Sequence, residues 1–324
     1  MSKKKILWVH NFNPRVLNSG IFMHSSYENL KNQGLDVDII YSGELRSITN
    51  FINFTINLVK ISGDYDIIHF QYGSLVSLSS LFISGPKIVI YLRGGDLLLQ
   101  KCSLLGLPHM VISSILSIIS ILRAHAIITV SDRMTKISDI FNIRKVPVYT
   151  LPSPLETVDS DNIHGNKNFS ENRFIKIGSV SIDSADRNKR IDVVKEAIQL
   201  LNSKGTKEFR LELISGMIHS EAIKKIANCD ILVCSSYSEG WPNFIKEGLM
   251  LNVPFISSDI SDLKEIALRT DTCKVLDTFN SYTLSKAIEN YIANYKDEDL
   301  KRFIIPFLIS NYSRKIVEIY EDLI

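Results

Sequence analysis

Short apolar runs alternate with longer stretches of helical period along the whole chain. In the first half the runs read KILWVH, DVDIIYS, YDIIHF, PKIVIYL, HAIITV and VPVYTL; in the second half they read RFIKIGSV, RLELIS, DILVCSS, VPFISS and TCKVL. Runs of this length bounded by polar residues are typical of buried strands. Because each run is followed by a helical stretch, the pattern predicts an α/β fold with parallel sheets.

The alternation is interrupted once, by a stretch at 151–172 rich in Pro, Asn, Asp and Gly. A chain of 324 residues also exceeds what one hydrophobic core usually fills. We therefore predict two Rossmann-like domains whose parallel sheets face each other across a cleft. The predicted segments are an N-terminal domain 1–155, a linker 156–172, a C-terminal domain 173–307 and a C-terminal helix 308–324 that packs back on the first domain.

Composition is that of a globular protein, with 45% hydrophobic and 22% charged residues. The four cysteines are Cys102, Cys229, Cys234 and Cys273. They show neither C-x-x-C spacing nor the density of a disulfide scaffold, so they favour a reducing compartment. The start MSKKKILWVH lacks a small-residue cleavage site, and we therefore expect a cytoplasmic protein.

Two features of the first half point towards lipid or another anionic partner. Residues 103–122 carry no formal charge and are long enough to cross a bilayer, although their serines and the flanking strand patterns favour a packed helix. Residues 1–155 carry a net charge of +6, and residues 156–324 carry −4. This asymmetry indicates a phospholipid surface or a lipid-linked diphosphate as partner, or else uneven surface solubilisation.

The stretch SSYSEGWPNFIKEGLMLNVP, residues 235–254, carries two carboxylates, Glu239 and Glu247, around a Gly-Trp-Pro-Asn turn. The turn follows a predicted strand, and Pro242 suits the first position of the next helix. A helix N-terminus binds phosphate, and carboxylates accept hydrogen bonds from hydroxyl groups. Together they predict a nucleotide-sugar site at the carboxyl edge of the sheet. In the alternative reading, Glu239 only caps the helix and Glu247 is exposed.

The same stretch resembles the signature of retaining glycosyltransferase family 4, in which seven residues separate two glutamates. Further landmarks are DYDIIHFQYGS, IVIYLRGGDLL, HAIITVSDRM and the terminal SRKIVEIYEDL, so the resemblance covers almost the whole chain. It implies the GT-B fold of two Rossmann-like domains, with the acceptor bound by the first domain and the donor by the second.

The resemblance also implies roles for residues of the second domain. Glu247 would bind the ribose hydroxyls of the nucleotide, and Glu239 would bind hydroxyls of the donor sugar. The sugar and phosphate would meet the turn formed by Gly240, Trp241, Pro242, Asn243 and Phe244. Lys189 would hold the diphosphate. Ser179 stands where the family commonly has an arginine, so Arg187 or Arg190 would substitute, unless they only solvate the helix start.

In the first domain the resemblance implies an acceptor or phosphate loop at Ser19 and Gly20, since glycine permits close approach of a ligand. His69 and Gln71 end a strand, and relatives often have histidine where Gln71 stands. His69 has a packing role as its main alternative. Arg93 and Asp96 are expected to point into the cleft and contact the acceptor or a phosphate, with a structural Arg–Asp pair as the alternative.

The implied reaction is sugar transfer with retention of anomeric configuration. The diphosphate leaves from the front face, and its oxygen deprotonates the acceptor hydroxyl. Residues expected to act in catalysis are Glu239, Lys189, Arg93 and Asp96. No metal or other cofactor is expected, and the acid pairs DVD and DYD are interpreted as strand entries.

The expected partners are a nucleotide-sugar and a glycan or lipid-linked oligosaccharide of bacterial O-antigen or capsule synthesis, with no nucleic acid. An anionic membrane surface is a further expected partner, at the inner face of the cytoplasmic membrane. Two other classes were considered. A catalytically silent nucleotide-sugar-binding or scaffold protein fits the departures at Ser179 and Gln71. A nicotinamide-dependent oxidoreductase is disfavoured because no G-x-G-x-x-G follows a strand.

Overall fold

The computed structural model describes residues 4–16, 19–97, 107–155, 174–181, 187–205 and 207–324. These residues form two compact units: the first comprises 4–97, 107–155 and 306–324, and the second comprises 174–305. The predicted linker 156–172 and Cys102 lie outside the described residues. The exact domain boundaries therefore stay predictions.

The first unit is built on a six-stranded, wholly parallel sheet with strand order β2-β1-β3-β4-β5-β6. Its strands are β1 (Lys5–His10), β2 (Asp36–Tyr41), β3 (Ile67–Phe70), β4 (Lys87–Leu92), β5 (Ala126–Thr129) and β6 (Val148–Thr150). The side chains of β4 from Ile88 to Leu92 are all fully buried. Helices cover both faces of a parallel sheet, which explains why its strands are continuous apolar runs in the sequence.

The helices of this unit are α1 (Ile21–Asn32), α2 (Ile48–Ser62), α3 (Ser74–Leu78), α4 (Leu107–Ile121) and α5 (Asp132–Phe141), with a 3₁₀ turn at Ser79–Phe82. Crossovers between parallel strands are right-handed. The connections that run from β2 towards β6 therefore place α2, α3, the 3₁₀ turn, α4 and α5 on one face. The connection from β1 to β2 runs the other way and places α1 on the opposite face.

The second unit has a five-stranded parallel sheet with strand order β11-β10-β9-β7-β8. Its strands are β7 (Phe174–Val180), β8 (Glu208–Ile214), β9 (Ile231–Cys234), β10 (Phe255–Ser258) and β11 (Lys274–Leu276). Its helices are α6 (Ile191–Asn202), α7 (His219–Ala227), α8 (Asn243–Met250), α9 (Leu263–Ala267) and α10 (Ser281–Ala293), followed by 3₁₀ turns at Lys301–Phe303 and Ile305–Phe307. One core joins the strands to α6 and α10. The two parallel α/β sheets that the sequence predicted are confirmed.

The last helix, α11 (Ile309–Glu321), belongs to the first unit and packs against α1. The Trp8 indole N–H donates a hydrogen bond of 2.7 Å to the Tyr320 hydroxyl, which is buried. Ser313 donates to the Asn29 side chain at 2.7 Å. The predicted return of the C-terminal helix to the first domain is therefore confirmed.

The uncharged segment 103–122 contributes α4, whose 15 residues extend over about 22 Å. A bilayer core is about 30 Å thick. Among the described residues, no helix has both the length and the apolar character that a membrane span needs.

Candidate functional site

Glu239 and Lys189, which the sequence assigned to sugar and diphosphate, lie together in the second unit. Lys189 Nζ donates to Glu239 Oε1 at 2.5 Å, and the Ser236 hydroxyl donates to the same oxygen at 2.8 Å. Both charged side chains are largely buried, at 13% and 19% exposure. Such a partly buried ion pair fixes the positions of the ammonium and the carboxylate. Removal of either side chain would leave the other as an uncompensated, partly buried charge.

Hydrogen bonds to backbone groups join the two segments that carry this pair. They follow β7 and β9, which are neighbouring strands of the sheet. The Asn188 side chain donates to the Ser238 carbonyl at 3.1 Å and accepts from the Ser238 amide at 3.3 Å. The Tyr237 amide donates to the Asn188 carbonyl at 2.9 Å, and Ser235 Oγ donates to the Lys189 carbonyl. Asn188 was not identified from the sequence, because its partners are about 50 residues away in the chain.

The two arginines expected to replace the family arginine have different environments. Arg190 adopts a left-handed backbone conformation (φ 45°, ψ 47°) just before α6. Its guanidinium donates to the Ser235 carbonyl at 2.6 Å and stacks on Tyr237 and Phe279. Arg187 is exposed. Arg190 is therefore held to the turn around Ser235, whereas Arg187 faces solvent.

Ser179, at the position where the family commonly has arginine, is 1% exposed. Its hydroxyl donates to the Val233 carbonyl of the neighbouring strand at 2.9 Å. The position therefore supplies no cation. Its side chain is also buried and bonded within the sheet.

Helix α8 begins at Asn243, one residue later than the sequence predicted, because Pro242 has extended dihedral angles (φ −72°, ψ 112°) and is the N-cap. As a proline, this N-cap residue makes no side-chain capping hydrogen bond. Gly240 accepts a hydrogen bond from Ser261 through its carbonyl. Of the remaining predicted donor-turn residues, Pro242 and Phe244 are buried, Trp241 is half-buried and Asn243 is exposed. The start of α8 thus faces solvent at Asn243.

Glu247 lies on α8, is 9% exposed, and pairs with His219. His219 Nε2 and Glu247 Oε1 are 2.9 Å apart, and His219 is the first residue of α7, which packs against α8. The alternative reading of the two glutamates is therefore wrong on both points: Glu247 is buried, and Glu239 bonds to Lys189 and Ser236 rather than capping the helix. His219 was missed by the sequence analysis because it carries no motif of its own.

In the first unit His69, Gln71 and Arg93 form one buried network. Gln71 Nε2 and the Tyr320 hydroxyl lie 3.2 and 2.6 Å from His69 Nδ1. Arg93 donates to the Gln71 carbonyl at 2.7 Å, to Gln71 Oε1 at 2.6 Å and to Ser153 at 2.7 Å. Burial, with a smaller contribution from Arg93, holds the pKa of His69 well below its usual value. This arrangement favours the packing role for His69.

Asp96 is fully buried and accepts hydrogen bonds from three backbone amides: Arg93 (3.0 Å), Gly94 (2.8 Å) and Gly73 (3.0 Å). Burial raises the pKa of its carboxyl, while these bonds oppose the shift. The carboxylate thus has three backbone partners within the first unit, and the expected contact of Asp96 with the acceptor or a phosphate stays a prediction. Arg93 donates to Asp96 through its backbone amide, and its guanidinium bonds to Gln71 and Ser153 instead. The alternative of a side-chain ion pair between Arg93 and Asp96 is therefore wrong.

Gly20 precedes α1 with φ +72°, and a Cβ there would lie 2.7 Å from the Phe12 side chain. Ser19 donates its backbone amide to the Val16 carbonyl at 3.1 Å. The left-handed backbone and the close approach of Phe12 each require a glycine at this position, whether or not a ligand binds there. The predicted ligand contact at Ser19 and Gly20 stays a prediction.

A cavity of about 470 Å³ lies at the carboxyl ends of β1 to β4 in the first unit. Its polar lining consists of Asn11, Asn13, Tyr41, Glu44, Arg46, Tyr72, Ser74 and Ser113. Hydrogen-bonding side chains of both kinds suit a ligand with many hydroxyl groups. Ser19, Gly20, His69 and Gln71 are not part of this lining, so their predicted ligand contacts stay predictions.

Among the described residues, no group of three or more His, Cys, Asp and Glu side chains is arranged to hold a metal ion. Expected metal independence stays a prediction, because it concerns the reaction.

No family model matches the chain, and no curated protein is significantly similar to it. Solved structures are similar over nearly the full length of both chains. One is a sucrose-phosphate synthase from Thermosynechococcus elongatus. The superposition covers 99% of this chain and 99% of the synthase, with a TM-score of 0.73 and 11% sequence identity. A second is the lipopolysaccharide outer core galactosyltransferase WaaB. The superposition covers 98% of this chain and 99% of WaaB, with a TM-score of 0.65 and 14% sequence identity. A third is HepE of Anabaena in complex with UDP and glucose. The superposition covers 98% of this chain and 100% of HepE, with a TM-score of 0.61 and 13% sequence identity. The chain therefore has the fold of GT-B glycosyltransferases, as the sequence resemblance implied.

Proposed function

We propose that the protein is a retaining glycosyltransferase of family 4. It moves a sugar from a nucleotide-sugar to a hydroxyl of a glycan or lipid-linked oligosaccharide in bacterial surface polysaccharide synthesis. The observation that carries this proposal is the pairing of Lys189 with Glu239 shortly before α8, a helix whose N-cap Pro242 provides no side-chain cap and which also bears Glu247. One cation, one helix N-terminus and two carboxylates are thus available for a diphosphate and a set of hydroxyl groups.

In this proposal the donor separates the ion pair. The diphosphate takes Lys189 and the amides at the start of α8, while Glu239 turns to hydroxyls of the sugar. Glu247, oriented by His219, accepts hydrogen bonds from the ribose. Binding of the donor therefore exchanges one charge-assisted contact for several, and Glu239 is placed next to the sugar that becomes cationic in the transition state.

The reaction needs no strong base on the protein. The leaving diphosphate oxygen takes the proton of the acceptor hydroxyl on the same face of the sugar, which retains the anomeric configuration. Lys189 and the dipole of α8 stabilise the charge that develops on the diphosphate. The cavity of the first unit, lined by side chains such as Asn11, Tyr41 and Glu44, is the proposed acceptor site.

The fold supports glycosyl transfer, because the similar structures include a galactosyltransferase and a sucrose-phosphate synthase. HepE binds UDP and glucose, so a nucleoside diphosphate is the first ligand to test. We place the enzyme at the inner face of the cytoplasmic membrane, where lipid-linked acceptors are presented.

A second candidate is a catalytically silent nucleotide-sugar-binding protein of the same fold. Ser179, buried and bonded to Val233, favours it, because the diphosphate site lacks the family arginine. Under this alternative the protein binds nucleotide-sugars but turns over none of them.

The test is a panel of nucleotide-sugars, screened first by thermal stabilisation and then by transfer to lipid-linked oligosaccharides. We expect one donor to stabilise the protein and to give a product with the donor's anomeric configuration, with chelator leaving transfer largely intact. An inverted product would overturn the family assignment. Stabilisation without any hydrolysis or transfer would favour the silent protein.

A further inference from the structure

Helix α2 presents an apolar stripe to solvent instead of to the core. Ile48, Ile52, Ile56 and Val59 are 78%, 48%, 47% and 39% exposed. They follow one another at spacings of three and four residues, which places them on one side of the helix. A helix on the surface of a globular protein usually carries charged residues on that side. The only charged residue of α2 is Lys60.

The stripe continues onto neighbouring elements of the same face of the sheet. Helix α2 contacts the 3₁₀ turn, the turn contacts α3, α3 packs along α4, and α4 contacts α5. We define the apolar layer by the exposed large hydrophobic residues of α2, the turn and the α4 region. Its members are Ile48, Ile52, Ile56, Val59, Leu81, Phe82, Ile112, Ile115 and Leu122.

The segments that form the layer, together with the segment beside them, carry a net positive charge. Segments 48–62, 74–83 and 107–122 contain no Asp or Glu and a single Lys, Lys60. The neighbouring segment 132–145 on α5 and beyond carries four Lys or Arg and two Asp, with exposed Ile140 and Ile143 between them. Exposed apolar side chains with a cationic border complement a bilayer that contains anionic lipids, because the apolar groups enter the interface while the cations meet the headgroups.

We propose that the apolar layer docks the first unit on an anionic phospholipid bilayer. The helices lie in the interface, consistent with the 15 residues of α2 and of α4. The layer adjoins the cavity in sequence: Leu45 and Arg46 line it just before α2, and Ser113 lines it next to Ile112. A lipid-linked acceptor could place its headgroup in the cavity while its tail stays in the bilayer. This last step, unlike the docking, rests on the proposed function.

The test is cosedimentation of the full chain with phosphatidylcholine vesicles, with and without about a third phosphatidylglycerol, and with no nucleotide-sugar present. We expect binding only to the anionic vesicles, weakened several-fold when salt is raised from low to about 0.5 M. The double substitution Ile52→Glu and Ile56→Glu should reduce binding at least 10-fold. Both positions are exposed, so folding is expected to survive, and thermal denaturation checks it.

The matched control is the double substitution Leu200→Glu and Leu268→Glu, which adds the same two charges at exposed leucines of the second unit. It should bind vesicles like the wild type. Equal loss in I52E/I56E and L200E/L268E, or equal binding to neutral and anionic vesicles, would overturn the proposal. So would a wild-type dimer that I52E/I56E converts to a monomer, since the layer would then cover a second copy of the chain. Nucleotide-sugar binding by I52E/I56E, measured separately, is expected to be unchanged, and it distinguishes failure of docking from failure of the proposed function.

Discussion

At the scale of single residues, the pairing of Glu239 with Lys189 makes the two glutamates of the signature behave differently. In the free protein Glu239 is paired with Lys189, so under the proposed function it competes with the diphosphate for this lysine. We expect Glu239→Gln to leave nucleoside diphosphate affinity equal to or higher than that of the wild type, while transfer falls by about 100-fold or more. Glu247→Ala should weaken diphosphate binding about 10- to 100-fold, as loss of a charge-assisted bond implies. Calorimetry with the diphosphate and with the intact donor separates the two effects, and identical profiles for both variants would contradict the assigned roles.

His219 offers a second residue-scale prediction, since under the proposed function it would affect the ligand through Glu247. We expect His219→Ala to weaken nucleoside diphosphate binding about 3- to 10-fold, in line with loss of one oriented hydrogen bond. In the background of Glu247→Ala it should add almost nothing, because the coupling is then already lost. Glu221→Ala, on the exposed side of the same helix, is the control. Additive losses in the double variant would mean that His219 contacts the ligand by itself.

Glu239, Glu247 and Lys189 could be proposed from the sequence because their spacing and the strands before them are local features. It could not predict the partners of these residues. His219 is 28 residues from Glu247, and Asn188 is 50 residues from Ser238, so only the parallel sheet brings them together. The partners of Asp96 were equally hidden: an acid after a strand and two glycines suggested a ligand contact, and the structure shows that its carboxylate also accepts hydrogen bonds from three backbone amides.

At the scale of elements, the strands were predictable since each is buried on both faces and therefore apolar throughout. Helix starts were less so. The start of α8 moved from Pro242 to Asn243 because the proline keeps extended dihedral angles and serves as the N-cap. The start of α1 depends on a contact that no local pattern reveals, the approach of Phe12 to Gly20.

That contact gives an element-scale prediction. Gly20→Ala combines a left-handed φ of +72° with a Cβ only 2.7 Å from Phe12 atoms. We expect it to lower the free energy of unfolding by about 1–3 kcal/mol, the range for such backbone strain. Gly63→Ala is the control, because its φ is −65° and nothing lies within 4 Å of the added Cβ. Urea denaturation monitored by Trp8 fluorescence measures both, and equal stability of the two variants would contradict the strain at Gly20.

At the scale of the whole molecule, stability should depend on pH through buried histidines of the first unit. Burial, with the nearby His24, lowers the pKa of His10 to about 4. An unfolded chain takes up that proton near pH 6.5, before the folded chain does, so stability falls as pH drops from about 6.5 towards 4. His69, whose pKa is also held low, acts in the same direction.

We expect His10→Phe, which keeps a flat ring among Phe12, Tyr41 and His24, to flatten this decline by up to about 1.4 kcal/mol per pH unit, the effect of one proton. Urea unfolding curves from pH 4.5 to 7.5 provide the measurement. Parallel curves for the wild type and H10F would mean that His10 titrates normally in the folded protein.

The return of α11 to the first unit has a consequence for the order of synthesis. The first unit's sheet leaves the ribosome with β6, but α11 begins only at Ile309, after the whole second unit. At 5–20 residues per second this interval lasts roughly 10–30 s. Throughout it, the indole of Trp8 and the imidazole of His69 lack the Tyr320 hydroxyl that they contact in the finished protein. A nascent chain therefore holds an incomplete first unit until α11 emerges, so these hydrogen bonds cannot form before the second unit has been synthesised.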